Sequence, residues 1–136
     1  MEKTKSSVLI VDDDVDYLEA SEATLSAAGY AVITARSADE GITLAREIRP
    51  NLVILDLMLE HTDAGFALAH QIRSTPELAD IPLIMVTSAA REAGYRFDLS
   101  SEEERRWIKV DRILNKPVTG AELLANVAEA LDKPEA

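Results

Sequence analysis

The chain has 136 residues, of which 47% are hydrophobic and 29% charged, a composition that predicts one globular domain. Its 25 acidic residues exceed its 14 basic ones, and a net charge of −11 disfavours direct binding to nucleic acid phosphates. It has no cysteine, which excludes disulfides and thiolate chemistry, and no apolar run suited to a signal peptide or a membrane span, so the cytoplasm is the expected location.

Five short, continuous apolar runs predict β-strands that are buried on both faces. In chain order these runs cover residues 8–11, 31–35, 52–55, 83–86 and 112–114. Segments with helical spacing separate them, so strands and helices are expected to alternate. This alternation, with its short connections, predicts an α/β domain in which helices cover both faces of a single parallel, doubly wound sheet.

Capping signals predict where the helices begin and end. Gly29 supplies a stop for the first helix, and Thr62 or Asp63 can cap the third. Three capping boxes of the S/T-x-x-E type are formed by Ser37 and Glu40, Ser101 and Glu104, and Thr119 and Glu122. They predict the second helix, a helix starting near Glu102 after a loop over residues 89–100, and the last helix.

Polar residues stand at the ends of four predicted strands: Asp12, Asp13 and Asp14, then Asp56, then Thr87 and Ser88, then Lys116 before Pro117. Ligands gather at the carboxyl ends of such strands, so these side chains are expected to converge. Each can also have an ordinary structural role, because an acidic run can cap a helix, Thr87 suits a strand and Lys116 can lie at the surface. Asp56 differs, since a carboxylate that ends an apolar strand is partly desolvated and needs a cation or hydrogen bonds.

Considered together, these residues indicate a site that binds a metal ion and accepts a phosphoryl group. Several carboxylate oxygens suit a hard divalent cation such as Mg2+, which relieves the repulsion among them. With the metal bound, Asp56 can attack a phosphoryl group as a carboxylate nucleophile. Lys116 and the Thr87 hydroxyl can then hold the non-bridging oxygens.

The stretches VLIVDDD, LVILDLM, PLIMVTS and ILNKP resemble the receiver domain of two-component response regulators, and the resemblance covers nearly the whole chain. It implies a flavodoxin-like fold with a five-stranded parallel sheet in the order 2-1-3-4-5 and five helices. It also implies a phosphorylation-dependent signalling switch, with no enzymatic activity apart from self-catalysed phosphoryl transfer to, and hydrolysis from, its own aspartate.

The resemblance further implies a role for each strand-end residue. Asp56 is the expected phosphoacceptor, Thr87 the switch hydroxyl and Lys116 the phosphate contact. The expected Mg2+ ligands are Asp12, Asp13, Asp56 and the backbone carbonyl of Met58. Asp14 is then left for helix capping, and the Lys116–Pro117 bond is similar to the cis peptide of the family.

Three features depart from the family pattern. Ile113 stands where the family usually carries a switch aromatic, and Glu60 replaces a proline after the phosphoacceptor, with Gly65 displaced from the usual glycine position. Residues 88–109 are longer than the family counterpart, which extends the region between the fourth and fifth strands. This segment contains Tyr95, Phe97 and Trp107, and it suits either a specialised partner interface or a longer loop whose aromatics fill the edge of the core.

The partners implied are a histidine kinase or phosphotransfer protein and a separate downstream effector protein, because residues 1–136 are expected to form a single receiver domain without an output domain. The family also permits a homodimer, and no direct contact with nucleic acid or membrane is expected. Two alternatives are a degenerate receiver that acts as a constitutive interaction module and a Mg2+-dependent phosphohydrolase. Ile113 and the altered loop favour the first, whereas Leu57 and Met58 after Asp56 do not match the D-x-D motif of the second.

Overall fold

The fold is known from a computed structural model that describes residues 6–56, 64–87, 111–116 and 118–131. Its elements are β1 (Ser7–Val11), α1 (Val15–Ala27), β2 (Ala31–Ala35), α2 (Ala38–Ile48), β3 (Leu52–Asp56), α3 (Ala64–Ser74), a 3-10 helix (Pro76–Leu78), β4 (Leu83–Thr87), β5 (Arg112–Asn115) and α4 (Gly120–Leu131). Five helices were predicted, and the described residues contain four α-helices, since the helix expected near Glu102 lies outside them.

The five strands form one parallel sheet in the order β2-β1-β3-β4-β5, as predicted. Within it β1 lies between β2 and β3, with Val8 in register with Val32 of β2 and with Leu52 of β3. The chain therefore moves outward from β1 in one direction to β2 and in the other to β3. The ends of β1 and β3 flank the point where the strand order reverses, which is where ligands bind in folds of this class.

Both faces of the sheet are covered, which accounts for the continuously apolar strands. One face packs against α2 and α3, whose contacting side chains include Ile42, Leu68 and Ile72. The other face packs against α1 and α4, through side chains such as Leu25, Leu123 and Val127. Successive residues of β1 and β3 point to opposite faces, so the two cores share the same strands.

Within the described residues, the ends of α1 and the start of α4 follow the predicted capping signals, whereas Thr62, Asp63 and the Ser101 and Glu104 box lie outside them. Asp14 caps α1, its side chain accepting a hydrogen bond from the Tyr17 amide at 3.2 Å. Gly29 has a φ of 100°, a left-handed conformation that glycine adopts without strain, and the chain reverses there into β2. In the last capping box, Thr119 and Glu122 exchange reciprocal hydrogen bonds of 3.1 Å before α4.

The capping box at the start of α2 differs from the expected pattern. Ser37 accepts a hydrogen bond from the Glu40 amide at 3.1 Å, as predicted, but the Glu40 carboxylate accepts one from the Arg36 amide at 2.7 Å. Both bonds satisfy amide groups next to the amino end of α2, so the helix still begins at Ala38.

A polar network joins α3 to the start of β5. The Arg73 guanidinium donates hydrogen bonds to the carbonyl oxygens of Ala79 and Ile81 and forms an ion pair with Asp111. Asp111 in turn accepts a hydrogen bond of 2.7 Å from the Leu83 amide at the start of β4. The network thus anchors the connection before β4 to the residue that leads into β5.

Among the described residues, no helix is both long enough and apolar enough to cross a membrane.

Candidate functional site

The predicted strand-end residues gather around the ends of β1, β3 and β5. Asp12 follows β1, Asp56 ends β3 and Lys116 follows β5. The backbone of Thr87 ends β4 and lies in register with Asn115. The parallel arrangement of the strands brings these positions to one edge of the sheet, although 104 residues separate Asp12 from Lys116 in the chain.

Three carboxylates form a cluster that can hold a cation. Asp12, Asp13 and Asp56 each place an oxygen so that the three atoms lie within 4.8 Å of one another. Asp12 and Asp56 are buried, with 1% and 8% of their surface exposed, whereas Asp13 is open to solvent. Carboxylate oxygens are the ligands that Mg2+ prefers, and the exposed Asp13 leaves room for water ligands, so the residues present fit this ion.

Lys116 bridges the two buried carboxylates of this cluster. Its ammonium nitrogen lies 3.0 Å from an oxygen of Asp12 and 3.1 Å from an oxygen of Asp56. Burial alone would lower the pKa of the Lys116 ammonium, but the hydrogen bonds and negative charges of Asp12 and Asp56 more than offset this, and the pKa lies above its ordinary value. Lys116 is therefore firmly protonated at neutral pH.

The orientation of Asp12 is fixed by the start of α1 as well as by Lys116. One of its oxygens accepts a hydrogen bond of 2.9 Å from the Asp14 amide, and the other contacts the Lys116 ammonium. Its own amide donates to the carbonyl of Ala35 at the end of β2. The acidic run thus has divided roles: Asp12 and Asp13 belong to the cluster, and Asp14 caps the helix.

An aromatic residue that the sequence analysis did not single out also belongs to this site. The Tyr17 ring lies against Lys116, with 4.4 Å between the ammonium nitrogen and the ring centroid. Burial raises the pKa of the Tyr17 phenol, while Ser21 and Lys116 oppose that rise. Ser21 lies close enough to lower this pKa. Within the described part of the chain, however, the buried Tyr17 hydroxyl has no partner of acceptable hydrogen-bond geometry. The sequence feature that could have indicated Tyr17 is its position, an aromatic residue one helical turn after the acidic run.

Other predicted features of the site lie outside the described residues. These are Met58, Glu60, Pro117 and the segment 88–109 with its three aromatics. At the position of the family aromatic, Ile113 is a half-buried side chain of β5 that packs against the core on the α2 and α3 face. His70 is exposed on α3.

Comparisons with known proteins identify the family of this chain. The family described as response regulator receiver domain matches residues 8–128. The transcriptional regulatory protein GltR of Pseudomonas aeruginosa is 38% identical over 130 residues, which are 95% of this chain and 50% of that protein. The chain spans about half the length of the curated relatives it matches.

Solved structures show the same fold. A CheY-like receiver domain protein from Methanospirillum hungatei is 26% identical, with a TM-score of 0.79 and 96% of each chain covered. The chemotaxis response regulator CheY4 of Vibrio cholerae shares the fold at 24% identity, with a TM-score of 0.80 over 93% of this chain and 99% of that one. With the family match extending from β1 into α4, the chain belongs to the response regulator receiver domain family, whose members act as phosphorylation-dependent signalling switches.

Proposed function

We propose that Asp56 is the residue on which this switch is phosphorylated, and that Asp12, Asp13 and Asp56 hold the Mg2+ that the reaction needs. The supporting observation is the position of Lys116, whose ammonium contacts Asp12 and Asp56 at once, at 3.0 and 3.1 Å. A cation in this position can stabilise the negative charge of the Asp56 carboxylate before phosphorylation and that of a phosphoryl group on Asp56 afterwards.

The transfer proceeds by displacement at phosphorus. An oxygen of Asp56 attacks the phosphorus of a phosphohistidine on a kinase or phosphotransfer protein, a new P–O bond forms and the P–N bond breaks. The histidine nitrogen keeps the bonding electron pair and takes up a proton. When bound, Mg2+ supplies positive charge that neutralises the phosphoryl oxygens. Hydrolysis of the resulting acyl phosphate by water returns the Asp56 carboxylate, so the domain catalyses only reactions of its own side chain.

Lys116 has a distinct task before and after the transfer. Before it, the ammonium offsets the repulsion between two carboxylates that are almost entirely buried. After it, the ammonium can keep Asp12 as a partner and exchange the Asp56 oxygen for a phosphoryl oxygen. Thr87 ends the neighbouring strand, and we assign its hydroxyl to a second phosphoryl oxygen, with the backbone carbonyl of Met58 as a further metal ligand.

The phosphorylated domain is recognised and bound by a protein partner. The net charge of −11 makes nucleic acid an unfavourable direct partner of this domain, and an effector protein suits the chemistry better. Because position 113 is isoleucine, the change cannot be transmitted there by rotation of an aromatic ring. Propagation of the signal therefore depends on Thr87 and on the segment 88–109 that follows it. A cytoplasmic location, where histidine kinase domains act, fits this role.

Intact-protein mass spectrometry after incubation with acetyl phosphate and Mg2+ tests this proposal. We expect one phosphoryl adduct on the wild-type chain, and none on Asp56→Asn or after metal chelation. Asp39→Asn is a matched control, because Asp39 is an exposed carboxylate in the first turn of α2 that is not part of the cluster, and this variant should be phosphorylated like the wild type. An adduct that persists on Asp56→Asn would show that the acceptor is wrong.

Ile113 also motivates the alternative of a constitutive interaction module. A receiver of that kind would keep the charged pocket without undergoing phosphorylation or a change of conformation. NMR spectra recorded with and without beryllofluoride and Mg2+ separate the two functions. Shifted backbone signals around β4 and β5 support the switch, whereas unchanged spectra, together with the absence of a phosphoryl adduct, support the constitutive module.

A further inference from the structure

Tyr17 completes the surroundings of the Lys116 ammonium. An ammonium group carries three N–H donors. Two of its partners are the oxygens of Asp12 and Asp56, and a third is the face of the Tyr17 ring, whose centroid is 4.4 Å away. We propose that Tyr17 is a positioning residue, which holds the Lys116 ammonium beside Asp56 through a cation–π contact. This inference rests on the proposed role of Asp56 and Lys116 in phosphorylation.

Contacts other than the one with Lys116 help to set the position of the Tyr17 ring. Its backbone amide is held by the Asp14 cap in the first turn of α1, directly after β1. Its side chain is half-buried and packs against the core between the sheet and helices α1 and α4. A ring fixed in this way can restrain a flexible lysine side chain, which would otherwise have many rotamers.

The contact is suited to a group whose other partners change. The face of an aromatic ring is electron-rich and attracts a cation, most strongly where the cation is withdrawn from water. Only 19% of the Lys116 side chain is exposed, so solvent screens the contact weakly. The ring carries no net charge, and it therefore remains a partner of the ammonium when the charge on Asp56 passes to a phosphoryl group.

The ring, rather than the hydroxyl group, is the part of Tyr17 that acts on Lys116. The hydroxyl is buried and makes no hydrogen bond of good geometry within the described residues, and its proton is retained because burial raises the pKa of the phenol. Tyr17→Phe should consequently preserve the positioning effect, while Tyr17→Leu should remove it. Tyr30 provides a matched control, since it is another half-buried tyrosine that packs against the same core.

The first measurement is the NMR signal of the Lys116 side chain in the full chain with isotopically labelled lysine, assigned by its disappearance in Lys116→Met. Protons above a ring face are shifted upfield by the ring current. We expect upfield-shifted Lys116 Hε signals in wild type, Tyr17→Phe and Tyr30→Leu, and ordinary positions in Tyr17→Leu. Ordinary positions in the wild type, or a shift that survives in Tyr17→Leu, would overturn the proposal. The wild-type spectrum decides this even if Tyr17→Leu fails to fold.

The second measurement is the rate of Asp56 phosphorylation by acetyl phosphate at saturating Mg2+. A cation–π contact in a partly desolvated site predicts a rate about five-fold lower in Tyr17→Leu. Tyr17→Phe should remain within about two-fold of wild type because it keeps the ring face, and so should Tyr30→Leu, whereas a general effect of losing a buried ring would lower the rate in Tyr30→Leu as well. An equal rate in Tyr17→Leu and wild type would contradict the positioning role. A wild-type chain that takes no phosphoryl group would instead refute the function of Asp56, and the NMR result would still decide the geometry.

Discussion

Replacing Lys116 by methionine should destabilise the metal-free protein strongly. The change keeps most of the aliphatic side chain but removes the ammonium that contacts Asp12 at 3.0 Å and Asp56 at 3.1 Å. The two carboxylates would remain almost entirely buried, with 2% and 10% of their side-chain surface exposed, and would repel each other without a compensating cation.

The size of the effect follows from these distances. At an effective dielectric constant of about 20, opposite charges about 3 Å apart attract each other by about 5 kcal/mol. Desolvation of the three ions offsets part of this attraction, and removing one partner of a buried ion pair destabilises proteins by about 3–5 kcal/mol. Because 19% of the Lys116 side chain is exposed, we expect the lower end of that range, about 3 kcal/mol.

Urea unfolding in the presence of a chelator measures this loss. Arg46→Met is the matched control, because Arg46 is an exposed cation of α2 and its replacement should change the free energy of unfolding by less than about 0.5 kcal/mol. Adding Mg2+ should recover more stability in Lys116→Met than in wild type, since the ion replaces the missing positive charge. A loss no larger than that of the control would refute the electrostatic argument.

The contribution of Lys116 should also depend on pH in a defined direction. Its folded-state pKa lies above the ordinary value of 10.5, because its contacts with Asp12 and Asp56 outweigh burial. The folded state therefore holds this proton more tightly than the unfolded state, and the stabilisation is complete below the unfolded-state pKa. It is lost as the pH rises through the raised pKa. The difference in stability between wild type and Lys116→Met should be constant from about pH 7 to 9 and should decrease above about pH 10.5.

Two further changes test the packing that supports the site. A methyl group added at Gly41 would lie 3.0 Å from a Val11 methyl in the core, so Gly41→Ala should destabilise by about 1–3 kcal/mol in urea unfolding. At Gly120 the nearest atom is 3.5 Å away, so Gly120→Ala should instead stabilise by a few tenths of a kcal/mol, and equal effects would contradict this reasoning. Asp111→Ala should speed hydrogen exchange of the Leu83 amide, which loses its partner at 2.7 Å; unchanged exchange would show that the network does not protect this strand end.

The sheet was predictable from the sequence because its strands are buried on both faces. A short continuous apolar run between turns and segments of helical spacing is typical of such a strand, and each predicted strand lies within one residue of an observed one. The convergence of Asp12, Asp56 and Lys116 followed from the same reasoning, since parallel strands place their carboxyl ends at one edge. The strand order itself came from the family resemblance.

Side-chain contacts between distant elements were not predictable in this way. Tyr17 was missed because an aromatic residue in the first turn of a helix is usually a core residue, and only the fold shows that Lys116 reaches its face. The Arg73 and Asp111 network was missed for a similar reason, because charged residues 38 positions apart carry no joint pattern in the sequence.

The long sequence separation within the charged cluster has a consequence for folding. Lys116 is 60 residues from Asp56 and 104 residues from Asp12, so the cluster consists of contacts of high contact order. Such contacts form only after β1, β3, β4 and β5 have assembled into the sheet, and a partly folded chain lacks the charge arrangement altogether. The domain can therefore signal only when it is completely folded. Molecules that are still folding, or that have lost β5, lack the charged cluster and cannot signal.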